Sequence, residues 1–307
     1  MELQSANAVL LVRPAAFGFN PEAAQSNVFA QASSDPELER KALAEFDTLA
    51  ERLSDSGVEV VVLNDTPDPP KPDAVFPNNW VTLHADGTMM LYPMANPSRR
   101  LERRPDEVAA LLRSRGFGVE RVVDLSGHEN DGHFLEGTGS LVLDRALRRA
   151  FASRSPRTDA GVIAEFDEQL GYSTFVFDAR DRSGRPIYHT NVLLSFGTRF
   201  AVLCEEAVAP QDRRALTEAI EAGGRSIVRL GFDQLASFGC NLLELSNAGG
   251  EPVIALSAAA RAALRPDQVR ELETLGGQLV DVPIPTIEAV GGGSVRCMIA
   301  EIHLPCR

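Results

Sequence analysis

The 307-residue chain is 44% hydrophobic and 24% charged, which allows a sizeable core in one large domain or two ordinary ones. Its net charge of −13 argues against nucleic acid and anionic membrane surfaces as partners, because both require a basic face, and leaves any basic site local. No apolar run approaches the roughly 20 residues of a membrane span, and no signal peptide is expected from the first residues.

The cysteines, Cys204, Cys240, Cys297 and Cys306, contain no CxxC pair. A zinc knuckle and a disulfide framework are therefore unsupported, and a reducing cytoplasm is the expected compartment.

In chain order, residues 7–14 ("NAVLLVRP") predict a short strand ended by proline. Residues 34–57 predict a helix, with Ser34 as N-cap, Pro36 in the first turn and Gly57 as stop. Residues 58–63 predict the next strand, and the Pro/Asp-rich stretch 64–73 a surface loop. Residues 78–94 read as a hairpin around Asp86-Gly87, followed by a helix at 105–116. Residues 139–153 start a second strand whose return run is not clearly β. Residues 191–206 form a hairpin around Gly197 with a helix at 210–223. Residues 241–257 form another, turning at Asn247 to Gly250, with a helix at 266–276. Residues 294–304 supply a last strand for pairing with 7–12.

This is an α/β chain of five units, each a β pair plus a helix. The leading polar residues of the units, Asn79, Glu136, His189, Cys240 and Cys297, fall 51 to 57 residues apart. Such spacing suggests a radial array whose strand ends converge on one axis.

Several of these residues can carry chemistry. "GGGSVRC" (291–297) lacks the order and lysine of a phosphate-binding P-loop, and it is no dinucleotide fingerprint. Its glycines permit close backbone approach. Arg296 beside Cys297 could favour a thiolate, although a buried inert cysteine fits the same residues. His189 shares a strand face with Asn191 and is a natural general acid/base. Glu136, between Phe134-Leu135 and a Gly-Thr-Gly turn, could orient an imidazole or be a plain surface acid. Asn78 and Asn79 could hold a polar ligand group or cap a turn. "GHENDGH" (127–133) offers His128, Glu129, Asp131 and His133, but no HExxH helix; a solvated loop fits better than a metal site.

Together, "VLLVRPAAFGFN", "FPNNW", "LEGTGS", "HTN" and "GGGSVRCM" resemble the amidinotransferase, or guanidine-modifying, superfamily. Within it, the similarity is to the arginine-deiminase-related group that includes citrulline-utilisation hydrolases. The resemblance spans essentially the whole chain and implies one domain over 1–307, a five-bladed α/β propeller called a pentein, with pseudo-fivefold symmetry. It implies Cys297 as nucleophile, His189 as general acid/base and Glu136 as the acid orienting it, with no cofactor. Two aspartates that grip guanidinium in the deiminases fall here on Asn79 and Asn191. Arg99 or Arg100, with Arg157, are candidates for the substrate α-carboxylate.

The exchange of aspartates for asparagines matters physically. A guanidinium is cationic, and desolvating it without an anion costs several kcal/mol. Amides suit a neutral ureido group instead. The expected reaction is therefore hydrolysis of citrulline to ornithine, carbon dioxide and ammonia, or of a guanidine through a ureido stage. Deiminase or dimethylarginine-hydrolase chemistry, an amidinotransferase and a non-catalytic amino-acid-binding pentein remain as alternatives. The expected ligand is a small ureido or guanidino amino acid, and a homodimer is left open.

Overall fold

The computed structural model describes residues 2–306. Its strands fall into five sets of three. Strand β1 (Ala8–Arg13) runs parallel to β2 (Glu59–Asn64). β3 (Val81–Leu83) and β4 (Thr88–Leu91) form a hairpin, and β5 (Arg121–Asp124) lies parallel to β4. The pattern recurs in β6 (Leu141–Asp144), β7 (Arg149–Ser153) and β8 (Ser173–Phe177). It recurs again in β9 (Leu194–Phe196), β10 (Phe200–Leu203) and β11 (Ser226–Arg229). β12 (Leu243–Ser246), β13 (Pro252–Ser257) and β14 (Gln278–Val282) follow suit. β15 (Ala300–Ile302) closes the first set by pairing antiparallel with β1, Ala8 opposite Ile302. A single residue pair, Ile302 with Leu83, joins that set to β3–β5 as a six-stranded sheet.

A parallel pair needs a crossover of a dozen or more residues, and a helix supplies it each time. These helices are Leu38–Asp55, Pro105–Ser114, Ala160–Leu170, Pro210–Glu221 and Pro266–Gly276. Three carry proline in the first turn, where its missing N–H costs nothing. Each turns one apolar stripe to the core; in the first it is Ala42, Phe46, Leu49 and Leu53. None of the described helices is long and apolar enough to cross a membrane.

The hairpins expected at 78–94, 191–206 and 241–257 are present, and the return run at 149–153 is β7. Three differences stand out. Each set has a third, parallel strand, so the repeat is strand–strand–helix–strand. The helix Ala160–Leu170 was not foreseen, although Asp159 caps Gly161 N and Val162 N, and Gly171 ends it at φ 67°. The first helix begins at Leu38 rather than near Ser34, because the Asp35 carboxylate ties back to Glu37 N and holds the preceding residues in a turn.

The approach to the leading hairpin strands is a tight turn: Pro77–Asn79, Gly137–Ser140, Thr190–Val192 and Val295–Met298. In the set β12–β14, an Asn241 N to Phe238 O bond of 2.8 Å closes the corresponding turn. The turns 77–79, 137–140, 190–192 and 295–298 touch one another. Thr190 Oγ1 locks two of them, donating to Ser140 O at 2.6 Å while accepting from Ser153 N.

Between the third and fourth sets, Asp144 is fully buried and bonds both Arg225 (2.9 and 3.2 Å) and Arg149 (2.9 Å). Asp144→Ala leaves the buried Arg225 without a counter-charge. A loss of about 3–5 kcal/mol in urea-unfolding stability is expected; a loss below 1 kcal/mol would show that the pair is dispensable.

Candidate active site

The turns converge on one narrow pocket. Glu136 stands immediately before the turn 137–140 and His189 immediately before the turn 190–192, so locking those turns fixes both side chains. Glu136 is fully buried, and His189 Nε2 donates to its Oε2 at 2.7 Å. Arg157 Nη1 donates to the same oxygen at 3.1 Å, and Ala95 N to the other at 3.0 Å. Burial alone would raise the Glu136 pKa, but Arg157 and His189 outweigh it and hold the carboxyl well below its usual range. The ionised carboxylate only accepts, so the neutral imidazole keeps its proton on Nε2 and its lone pair on Nδ1. Burial pulls the His189 pKa down to about 4, against the attraction of Glu136.

Cys297 sits on the turn Val295–Met298, not on a strand. Its Sγ lies 3.5 Å from Asn191 Nδ2 and 3.5 Å from Asn241 Nδ2. Two amide donors thus face the sulfur. Arg296 points elsewhere, to Ile299 O and Glu301, so its expected place beside the thiol is taken by those amides. Asn241 likewise holds the position that the residue spacing gave to Cys240, which is a buried thiol whose pKa burial raises.

Asn79 Oδ1 accepts from Arg99 Nη1 at 2.8 Å. Since a guanidinium only donates, this contact fixes the amide, and Asn79 Nδ2 has no protein partner. Arg99 also forms a two-bond pair with Glu102 (2.9 and 2.9 Å). Arg99, Arg157, Asn79, His189 and Cys297 all line the pocket. Arg100 and Asn78 do not: Arg100 bonds Met94 O and pairs with Glu129, and Asn78 is buried behind Gly137 with its carbonyl bonded to Thr138. In the 127–133 cluster, Glu129 pairs with Arg103, and the His128 ring contacts Glu165 at 2.7 Å.

Asp73, Asn241 and Tyr188 were missed. Asp73 is a pocket carboxylate bonded by Asn20 at 2.8 Å and 3.8 Å from Arg99; burial raises its pKa. It closes the Pro/Asp-rich stretch that read as plain surface loop, yet it is 2% exposed. The glycine triplet also has a sharper explanation. A Cβ on Gly291 or Gly293 would come within 2.9 or 2.8 Å of the Phe76 ring, and one on Gly292 (φ 65°) would strike Ala30 N and Asn27. The backbone is kept slim by Phe76 and the 27–30 loop as well as by the pocket it lines.

The profile of the family described as eukaryotic N,N dimethylarginine dimethylhydrolase matches residues 13–304. The chain belongs to this family of carbon–nitrogen hydrolases, within the guanidine-modifying superfamily. No curated protein matches the chain. Among solved structures it resembles ArgZ, an arginine dihydrolase from the ornithine–ammonia cycle in cyanobacteria, at 16% identity and TM-score 0.74. That match covers 98% of this chain but only 41% of the ArgZ chain. Against the isolated N-terminal domain of ArgZ, in a cysteine-to-serine mutant bound to substrate, identity is 16%, TM-score 0.73 and coverage 96% and 97%. A dimethylarginine dimethylaminohydrolase adduct with S-methyl-L-thiocitrulline matches at 15% identity and TM-score 0.66, covering 98% and 100%. These likenesses establish a shared α/β fold.

A Cβ on Gly139 would lie 2.5 Å from Asn79 Nδ2 and 2.8 Å from the His189 ring. Gly139→Ala is therefore expected to lower turnover about 100-fold, since a misplacement of about 1 Å suffices, while circular dichroism stays unchanged; wild-type turnover would refute the contact. Because His189 is neutral when folded, with a pKa of about 4 against an ordinary 6.5, the unfolded chain binds more protons between those values. Its contribution, at most about 3 kcal/mol, is complete above pH 6.5 and lost as pH falls towards 4. Urea titrations should show this slope in the wild type and a flatter one in His189→Gln; equal slopes would contradict it.

Proposed function

We propose that the protein hydrolyses the ureido group of citrulline, giving ornithine, carbon dioxide and ammonia. The observation that carries this reading is Asn79 Nδ2, a buried donor beside the His189 ring with no protein acceptor. A ureido carbonyl oxygen supplies that acceptor. A guanidinium, which has only donors, would leave the amide unmatched, and an unmet buried polar atom costs about 1–3 kcal/mol. Asn191 and Asn241 also turn N–H groups towards Cys297 at 3.5 Å, with the Asn241 oxygen a little farther from the sulfur at 3.8 Å.

In the proposed mechanism His189, neutral at rest, takes the Cys297 thiol proton on Nδ1. The thiolate attacks the ureido carbon, and the asparagine N–H groups stabilise the developing oxyanion. His189 passes the same proton to Nδ, ornithine leaves, and a carbamoyl group stays on sulfur. His189 then deprotonates a water that attacks the thiocarbamate, the C–S bond breaks, the imidazolium returns its proton to the Cys297 sulfur, and carbamic acid leaves and decays to carbon dioxide and ammonia. Glu136 stabilises the imidazolium formed in each half. Arg99 and Arg157 offer cations to the α-carboxylate, and Asp73 an anion to the α-ammonium. The five strand sets are read as blades of a single-domain pentein propeller with this pocket on its axis.

A second reading has one specific support. The chain shares its fold with the arginine dihydrolase ArgZ, so arginine could enter and pass through a citrulline stage in the same pocket. Asp73 would then be the one carboxylate available to a cation.

Incubating purified protein separately with citrulline, arginine and dimethylarginine decides between them. Ornithine from citrulline alone supports the ureido reading; ornithine from arginine supports the dihydrolase; citrulline as end product from arginine or dimethylarginine overturns both. Asn79→Asp exchanges the free donor for an acceptor, and should shift the citrulline-to-arginine ratio of kcat/KM by about 100-fold towards arginine. Cys297→Ser should abolish turnover on every substrate.

A further inference from the structure

A second, narrow cavity meets the site through Asn191. Its walls carry Ser195 from β9, Glu244 from β12, and the buried charges Arg145, Arg296 and Glu301. Three side-chain atoms on these walls have no protein partner: Asn191 Oδ1, Ser195 Oγ and Glu244 Oε2. Their residues are 1, 4 and 2% exposed. The other Glu244 oxygen is already engaged by Ser5 and Thr198.

Three unmet polar atoms on one set of walls mark a place for a small molecule that both donates and accepts. Water meets that description, donating to the two acceptor oxygens and accepting from the Ser195 hydroxyl. A metal cation does not, because two guanidiniums face the same space; Arg296 pairs with Glu301 at 3.1 Å and Arg145 with Glu301 at 3.6 Å.

We propose that this cavity is a buried water site wired to the nucleophile through Asn191, which makes Ser195 and Glu244 positioning residues for Cys297. The Asn191 amide has two faces. Asn191 lines the cavity and its oxygen has no protein partner, while its nitrogen lies 3.5 Å from Cys297 Sγ. Water held by Ser195 and Glu244 donates to the oxygen and keeps the N–H groups on the sulfur. Without it the amide is free to flip, which would set the carbonyl oxygen against the thiolate. The proposal rests on Cys297 being the nucleophile, but its test reads the thiol directly and needs no substrate.

The test is iodoacetamide alkylation of Cys297, followed by peptide mass from neutral to alkaline pH. A Cys306→Ser background removes the exposed competing thiol. Tyr188 and His189, which line the pocket with the sulfur, and Arg296, Arg145, Glu301 and Glu244 around the cavity are left intact. Ser195→Val, which removes the hydroxyl and fills the space, should move the alkylation midpoint upward and slow the neutral-pH reaction about ten-fold. Ser195→Thr, which keeps the hydroxyl, should stay within about two-fold of the parent. A Ser195→Val profile superimposed on the parent overturns the proposal, as does equal slowing in both variants. Should Ser195→Val not fold, a high-resolution crystal structure of the parent protein decides. Ordered water within hydrogen-bond reach of the three atoms supports the site, and a dry cavity overturns it. Failure of the citrulline assay with these results intact would count against the substrate and leave the water site standing.

Discussion

One buried carboxylate organises this molecule. Glu136 has no exposed surface, and a lone charge there would cost several kcal/mol. Arg157, His189 and the Ala95 amide offset that cost together. Each brings a different segment with it. Arg157 is itself held by Ser26 and Ala23 O, so the N-terminal loop is drawn over the pocket. Ala95 brings in the loop ahead of Arg99. His189 is left neutral, with its lone pair on the nitrogen away from Glu136. The same ion cluster therefore folds the walls of the pocket and sets the protonation state of its base.

The tight turns show how a repeated backbone device yields different chemistry. Each leads into a hairpin strand, and their mutual contact brings polar residues from distant parts of the chain within reach of one another. Only small residues allow such close approach. Gly139 lies under both Asn79 and His189, and the triplet 291–293 lies against Phe76. Glycine at these places is a demand of the neighbours rather than of the turn's own dihedrals, Gly292 apart.

Much of this was legible. Asp86-Gly87 and Asn247 to Gly250 announce hairpins because few residues accept such turns, and proline followed by an apolar stripe announces the helices. The regular spacing of Glu136, His189 and Cys297 placed them at equivalent points of the second, third and fifth units, and they meet around one pocket. Apart from β2, expected at 58–63, the third strands were not legible. Arg121–Asp124 and Ser226–Arg229 are four residues long, partly exposed and without marked alternation. They become strands because β4 and β10 offer them a free edge. Asp73 and Asn241 were equally silent, each a single polar residue whose partners, Asn20 for one and Cys297 for the other, lie 53 and 56 positions away.

The sequence by itself therefore determined the local elements, their repetition and the residue types available for chemistry, because these depend on short-range sterics and apolar periodicity. It did not decide which amide faces the sulfur, which arginine is bound to Glu136, or that Arg296 turns away from its neighbour Cys297. Those choices follow from burial. Once water is excluded, each polar group must find a partner wherever the fold brings one, and chain proximity no longer counts. Tertiary structure alone made Asn241 rather than Cys240 part of the site, and gathered asparagines that lie far apart in sequence around one sulfur, with Asn79 Nδ2 left as the unmatched donor.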